Sequence, residues 1–154
     1  MINESISSLT LVSPFIDLTA IGTLSTHLLT ALSRKVAVRL FVHDALNIGT
    51  LTSRALEELR RDAERKQVDL SVFSAEAGVG RDRLLNPLFH AKLVIRDNHV
   101  LLLGSANLTS YALESNFEAG VLLGEAAARE ALFVLDGILE AKGVYLVFRT
   151  TGAP

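Results

Sequence analysis

A chain of 154 residues with 49% hydrophobic and 21% charged residues is long enough to bury one core and too short for two of ordinary size, which predicts a single domain over residues 1–154. Its formal net charge of −2 excludes a global attraction to polyanions, so any contact with nucleic acid has to be local. The lack of cysteine excludes a disulfide framework and thiolate metal sites.

No apolar run reaches the length of a bilayer span, and Met1 to Ser8 lacks the basic start and apolar stretch of a signal peptide. Both observations predict a cytoplasmic protein with no stable membrane association.

Leu9 to Ile16 is apolar and β-compatible, and Asp17 is placed to cap a helix whose Leu18, Ile21, Leu24, Leu28, Leu29 and Leu32 follow helical spacing. Val36 to Val42 reads as a strand covered on both faces, and Leu51 to Lys66 as a second amphipathic helix. On that helix Arg60, Arg61, Arg65 and Lys66 alternate with Glu57, Glu58, Asp62 and Glu64, the pattern of a solvated ion-pair face. Val68 to Val72 alternates as a strand with one wetter face, and Ala77 to Arg83 has the composition of a loop. Arg81 and Arg83 in that loop read as surface charge rather than as contacts to a DNA backbone.

Phe89 to Arg96 and His99 to Leu103 flank Asp97-Asn98, a turn dipeptide, so the spacing predicts a hairpin. With a two-residue turn, Lys92 would lie opposite Leu103 and His90 opposite Ser105. Asn116 to Leu123 is a further strand candidate, Ala126 to Ala141 a helix ending at Gly143, and Val144 to Phe148 a last strand. Strands alternating with helices and followed by adjacent strands predict an α/β fold, a mixed β-sheet flanked by helices on both faces.

The hairpin carries the chemistry. Side chains two apart on a strand share a face, so His90 and Lys92 are expected to project together. A phosphodiester is an anion that repels nucleophiles, and Lys92 with the Asn107 amide would neutralise its non-bridging oxygens, most strongly in the transition state. A neutral histidine can attack phosphorus and split one hard displacement into two, provided something fixes its tautomer; Glu118 is the candidate acceptor for the other ring nitrogen and Ser105 a second. Asp97, at an odd offset from His90, is expected to be structural, as are Gly104 at a close strand approach and Asn116 beside Glu118. Ser110 and Tyr111 are near enough to border the pocket. His27, His43 and His99 fall in settings unlike that of His90 and read as structural.

A leaving alkoxide needs a proton, and one neutral histidine cannot be nucleophile and acid in the same step. One motif per chain therefore predicts a homodimer in which His90 of one subunit attacks and His90 of the other protonates across a twofold axis.

His90-x-Lys92-x4-Asp97, Gly104-Ser105-Ala106-Asn107 and Asn116-Phe117-Glu118 together resemble the signature of the phospholipase D superfamily, at every fixed position and at family spacing. Leu11-Val-Ser-Pro-Phe-Ile16 also looks like the first strand of that fold. The resemblance implies a phospholipase D/nuclease-like fold and phosphodiester cleavage through a covalent phosphohistidine, with no metal and no cofactor. A solitary half of this size resembles the bacterial nuclease branch, which implies an endonuclease acting on DNA as a homodimer with a shared active site, in a DNA-modification or phage-defence setting that includes a larger complex. Phospholipase or phosphatidyl transfer, and a non-catalytic DNA-binding or assembly subunit, are the alternatives.

Overall fold

Leu9 to Val12 put apolar side chains on both faces of the chain, and β1 (Ser8–Val12) accordingly lies at the centre of a seven-stranded sheet. The computed structural model describes residues 1–43, 45–47, 49–75, 90–140 and 144–151. The elements that follow are α1 (Leu18–Ser33), β2 (Ala37–His43), α2 (Leu51–Arg65), β3 (Leu70–Ala75), β4 (Leu93–Arg96), β5 (Val100–Gly104), α3 (Ser110–Glu114), β6 (Gly120–Leu123), α4 (Glu125–Leu139) and β7 (Val144–Thr150). The sheet order is β6-β5-β4-β1-β2-β3-β7; β1 to β3 run parallel and every other pairing is antiparallel. This is the mixed α/β sheet that the order of elements predicts.

Alternation along the strands sorts two cores. Leu9, Leu11, Val38, Leu40, Val42, Leu70 and Val72 face α1 and α2, where Ile21, Leu28, Leu56 and Leu59 close over them. Val12, Phe41, Ile95 and Leu101 face the other way, onto Ala128 and Leu135 of α4. Phe41 stacks on Phe73 at 5.0 Å between centroids, and Arg39 reaches across that face to Asp136 of α4 at 2.6 Å. On the outer face of α2, Arg60 bridges Glu57 at 2.9 Å and Glu64 at 2.5 Å, as the helical spacing predicts.

The expected strand over Phe89 to Arg96 begins later, at Leu93, with Phe89 outside the described residues. The hairpin register also differs from the expected one. Asp97 and Asn98 adopt left-handed angles (φ 53° and 58°) and His99 N–H donates to Arg96 O at 3.0 Å, but His99 adds one residue before pairing resumes at Arg96↔Val100. The pairs are therefore Leu93↔Leu103 and, by the bond from Gly104 N–H to Lys92 O at 3.0 Å, Lys92 beside Gly104. Lys92 is not opposite Leu103, nor His90 opposite Ser105.

Two further expectations need correcting. Only Gly120–Leu123 of the stretch from Asn116 is strand, because Ser110–Glu114 coils into a short helix that delivers residues 116–119 to the end of β5 as irregular chain. β1 ends at Val12 rather than Ile16, since Ser13 and Pro14 turn the chain toward the cap of α1. The loop of Ala77 to Arg83, with Arg81 and Arg83, lies outside the described residues, as do Ala141 and Gly143.

Close approach at Gly104 makes one stability prediction. A Cβ there would sit 2.9 Å from the backbone oxygen of Ala119, which flexible side chains cannot relieve. Gly104→Ala is expected to cost about 1–3 kcal/mol and to push β6 off β5; a urea midpoint equal to that of the wild type would refute it.

Candidate active site

The parallel strands end on one edge of the sheet, and β4, running the other way, starts there: Leu93 pairs with Val12. Open α/β sheets bind ligands at this edge. Residues from the start of β4, the end of β5 and the chains leaving them converge on it, around a pocket of about 270 Å³ lined by Lys92, Gly104, Asn107 and Glu118 over a mainly aliphatic floor.

The loop after β1 holds this edge together in a way that periodicity in the sequence does not reveal. Ser13 Oγ accepts from Leu108 N–H at 2.9 Å and donates to Phe15 O at 2.6 Å, and Ile16 bridges to Leu108. Asp17 caps α1 by accepting from Ala20 N–H at 2.8 Å, and its other oxygen accepts from Ser110 N–H at 2.9 Å and Ser110 Oγ at 3.2 Å. The segment carrying Asn107 is thus pinned on both sides of Leu108. Burial works to raise the Asp17 carboxyl, but these donors outweigh it and hold the group below its ordinary value. Ser13 and Asp17 are the positioning residues that sequence reading missed; the signal available was a polar residue directly after a buried strand and a cap with a second oxygen to spare.

Glu118 is held firmly. One carboxylate oxygen accepts a short hydrogen bond from Ser105 Oγ and the other accepts from Asn116 Nδ2 at 3.2 Å, while Ser105 Oγ accepts from Ala119 N–H at 3.1 Å. Ser105, Asn116 and Glu118 form one network, with Asn107 and Lys92 on the same pocket. The Asn107 side-chain oxygen is buried without a hydrogen-bond partner among the described residues.

His90 is placed differently from the expectation that it shares a strand face with Lys92. Neither residue is in a strand; Lys92 lines the pocket with Asn107, whereas His90 is exposed and borders a second groove against α4 with Ala91 and Val134. The two remain linked, because Lys92 Nζ donates to His90 O at 3.0 Å. No hydrogen bond joins the His90 ring to Glu118 among the described residues. Of the bordering candidates, Ser110 is taken by Asp17 and Tyr111 is 74% exposed; neither lines the pocket. His27 contacts Asn3 and His99 contacts Glu125 at 3.1 Å, both away from it.

Asp97 lies at the opposite end of the hairpin and ties it to the amino-terminal segment. Its carboxylate accepts from Ile6 N–H at 3.0 Å, Ser7 N–H at 2.7 Å, Ser7 Oγ at 3.0 Å and Ser8 N–H at 3.0 Å. Burial pushes the carboxyl up, but the Ser7, Ser8 and Ile6 donors hold it below its ordinary 3.8. A carboxylate depressed on folding contributes stability that is complete above its unfolded value and is lost as pH falls through the lower folded value. Asp97→Asn should therefore be less stable at neutral pH, on the order of 1–2 kcal/mol, and should lose less stability between about pH 4 and pH 2 than the wild type. Parallel urea curves across that range for both proteins would contradict the assignment.

Comparison with known proteins bears on the fold and the family. A family model described as cardiolipin synthase, PLD-like domain, matches residues 1–132. The phospholipase D family member Nuc from Salmonella typhimurium is similar in structure, with a TM-score of 0.71 at 18% identity over 94% of this chain and 84% of that one. NucT from Helicobacter pylori gives 0.67 at 17% identity over 91% and 83%. Phosphatidylserine synthase from Haemophilus influenzae Rd KW20 gives 0.63 at 17% identity, covering 94% of this chain but 34% of that one. No curated protein matches the sequence significantly. With most of its length matched by the family model and its mixed sheet shared with these structures, the chain belongs to the PLD-like domain family of the phospholipase D superfamily.

Proposed function

We propose that this chain is a phosphodiesterase that cleaves polynucleotides, DNA foremost, through a covalent phosphohistidine on His90 in a homodimer. The observation that carries the reading is the convergence of Lys92, Asn107 and Glu118 on one pocket at the sheet edge, with Ser105 bonded to Glu118 and an exposed histidine two residues from the lysine. Lys92 neutralises a non-bridging oxygen and the Asn107 amino group donates to another, in a site floored by aliphatic side chains where such contacts are strong. The exposed His90 ring is free to turn toward a phosphate held there, since exposed rotamers change in picoseconds to nanoseconds.

In the first step a ring nitrogen of His90 forms a bond to phosphorus as the bond to the leaving oxygen breaks, and the leaving alkoxide takes a proton from His90 of the partner subunit. In the second, that partner ring removes a proton from water, the hydroxide displaces the histidine, and both rings return to their starting states. Two coupled imidazoles titrating in one site give a bell-shaped pH–rate profile.

An apolar surface beside the pocket supports the dimer. Phe117 is 98% exposed between Asn116 and Glu118, and Leu122 on the edge strand β6 is 64% exposed. Exposed apolar side chains of this kind, beside a site with a single histidine among the described residues, fit self-association. Equal mixing of wild-type and His90→Ala subunits is expected to leave about a quarter of the activity, the statistical share of intact dimers; half the activity would rule out a shared site.

The founding experiment is incubation of labelled DNA and RNA with the protein in EDTA, beside His90→Ala. Cleavage by the wild type alone supports the reading, and no cleavage of any polynucleotide overturns it. With few cations at the site among the described residues and a net charge of −2, affinity should fall only shallowly with salt. A DNA-modification or phage-defence complex is the setting this activity fits. Phosphatidyl transfer is the second reading, favoured by the description of the matching family model and the fold shared with the phosphatidylserine synthase; release of headgroup from labelled phosphatidylglycerol, with oligonucleotides untouched, would establish it instead. No described helix is long and apolar enough to cross a membrane.

A further inference from the structure

Glu118 is poorly placed to orient the histidine it is expected to serve. It lines the pocket with Lys92, and each of its carboxylate oxygens already accepts a hydrogen bond, one from Ser105 Oγ and the other from Asn116 Nδ2. His90 borders a different space, the groove on the α4 face of the sheet, where Ala127, Ala131, Val134 and Ile138 recur at helical spacing along one stripe of α4. Besides His90, the ionisable residue of that wall is Glu130. The other charged residues of α4 are all paired, Glu125 with Arg129 and His99, and Asp136 with Arg39. Glu130 makes no hydrogen bond and no ion pair among the described residues.

Groove and pocket adjoin, because Val12 and Leu93 line both. A ring carried just ahead of β4 therefore stands at the ridge between them, and its two nitrogens can serve the two sides. Which nitrogen holds the proton is set by the hydrogen bond that the other makes. In water a neutral imidazole keeps its proton mainly on Nε2, and a protonated nitrogen has no lone pair with which to attack. From these observations we propose that Glu130 is a positioning residue of this site: its carboxylate accepts the Nδ1 proton of His90 from the groove and leaves Nε2 bare toward a phosphate beside Lys92. The proposal rests on the phosphohistidine reading above and names the residue that sets the nucleophile's tautomer. As Nε2 bonds to phosphorus and the leaving oxygen departs with the partner ring's proton, the attacking ring becomes cationic. The Nδ1 proton stays where it is, and the carboxylate meets the new charge across an aliphatic wall that weakens screening.

The test uses Glu130→Ala and Glu130→Gln in the whole chain. Residue 130 is exposed on a helix, so both variants should keep a urea midpoint close to that of the wild type. Ring nitrogen NMR shifts of His90, assigned by their loss in His90→Ala and read where the ring is neutral, should place the proton on Nδ1 in the wild type and mainly on Nε2 in Glu130→Ala. Glu130→Gln keeps a neutral acceptor and should fall between. In single-turnover assays Glu130→Ala should form the phosphoenzyme roughly tenfold to a hundredfold more slowly, with KM within a few-fold of the wild type. Glu118→Gln should slow turnover and leave the His90 tautomer unchanged. An unchanged tautomer in Glu130→Ala, or phosphoenzyme formed at the wild-type rate, overturns this proposal alone. A tautomer that moves with Glu118→Gln in place of Glu130→Ala hands the task to Glu118. Failure of the wild type to cut any polynucleotide overturns the parent reading, and the tautomer by itself then decides whether Glu130 holds the ring.

Discussion

His90→Ala is expected to lower the rate of DNA cleavage by roughly three to five orders of magnitude while leaving substrate affinity within a few-fold. Removing a nucleophile leaves only the electrostatic and binding contributions of the remaining groups, which still exceed the uncatalysed reaction but fall far short of the covalent route. The structure makes the experiment clean. His90 is exposed and outside any strand, and it accepts the Lys92 ammonium through its backbone oxygen, so alanine keeps that contact. An exposed substitution of this kind changes stability by about half a kilocalorie per mole or less, far too little to mimic the loss. Single-turnover assays of the wild type, quenched in alkali to preserve an acid-labile phosphorus–nitrogen bond, should show label on the protein that His90→Ala does not acquire. Retention of a tenth of the wild-type rate by the variant would remove His90 as nucleophile.

Lys92→Met should lower kcat by about a hundredfold to a thousandfold, the usual consequence of deleting one preorganised group that meets developing charge. Methionine keeps an unbranched stem of similar length against the pocket wall and removes only the ammonium, so packing is largely preserved. The ammonium has two tasks here. It faces the pocket with Asn107 and Glu118, and it donates to His90 O at 3.0 Å, tying down the segment that carries His90. Lys92→Arg should recover part of the loss and not all, since a planar fork cannot occupy the place of a compact charge at both contacts. A kcat for Lys92→Met within threefold of the wild type would show that the charge does not serve the transition state.

Asp97 and Glu118 show why carboxylates of one motif should behave differently. Asp97 spends its oxygens on the amino-terminal segment at the far end of the hairpin, whereas Glu118 sits on the pocket between Ser105 and Asn116. Loss of the first should be read in denaturation curves; loss of the second should be read in rates.

The sequence by itself determined the order of strands and helices apart from α3, the burial of β2 on both faces, and which residue types could handle a phosphodiester. Those features are local: hydrophobic period, capping residues and motif spacing act within a few residues of themselves. The tertiary structure alone decided the rest. His99 enters the hairpin as one extra residue, and because side chains alternate with a period of two, that single slip moves Lys92 beside Gly104 and undoes the pairing of His90 with Ser105. Ser13 and Asp17 fix Asn107 from more than 90 residues away in sequence, as the bonds Ser13–Leu108 and Asp17–Ser110 span separations of 95 and 93. Such contacts leave no periodic trace, since a hydroxyl or a carboxylate in a loop reads the same whether its partner is water or a distant backbone amide. Motif chemistry is carried by residue identity, but the geometry that makes it a site is set by strand register and by long-range hydrogen bonds.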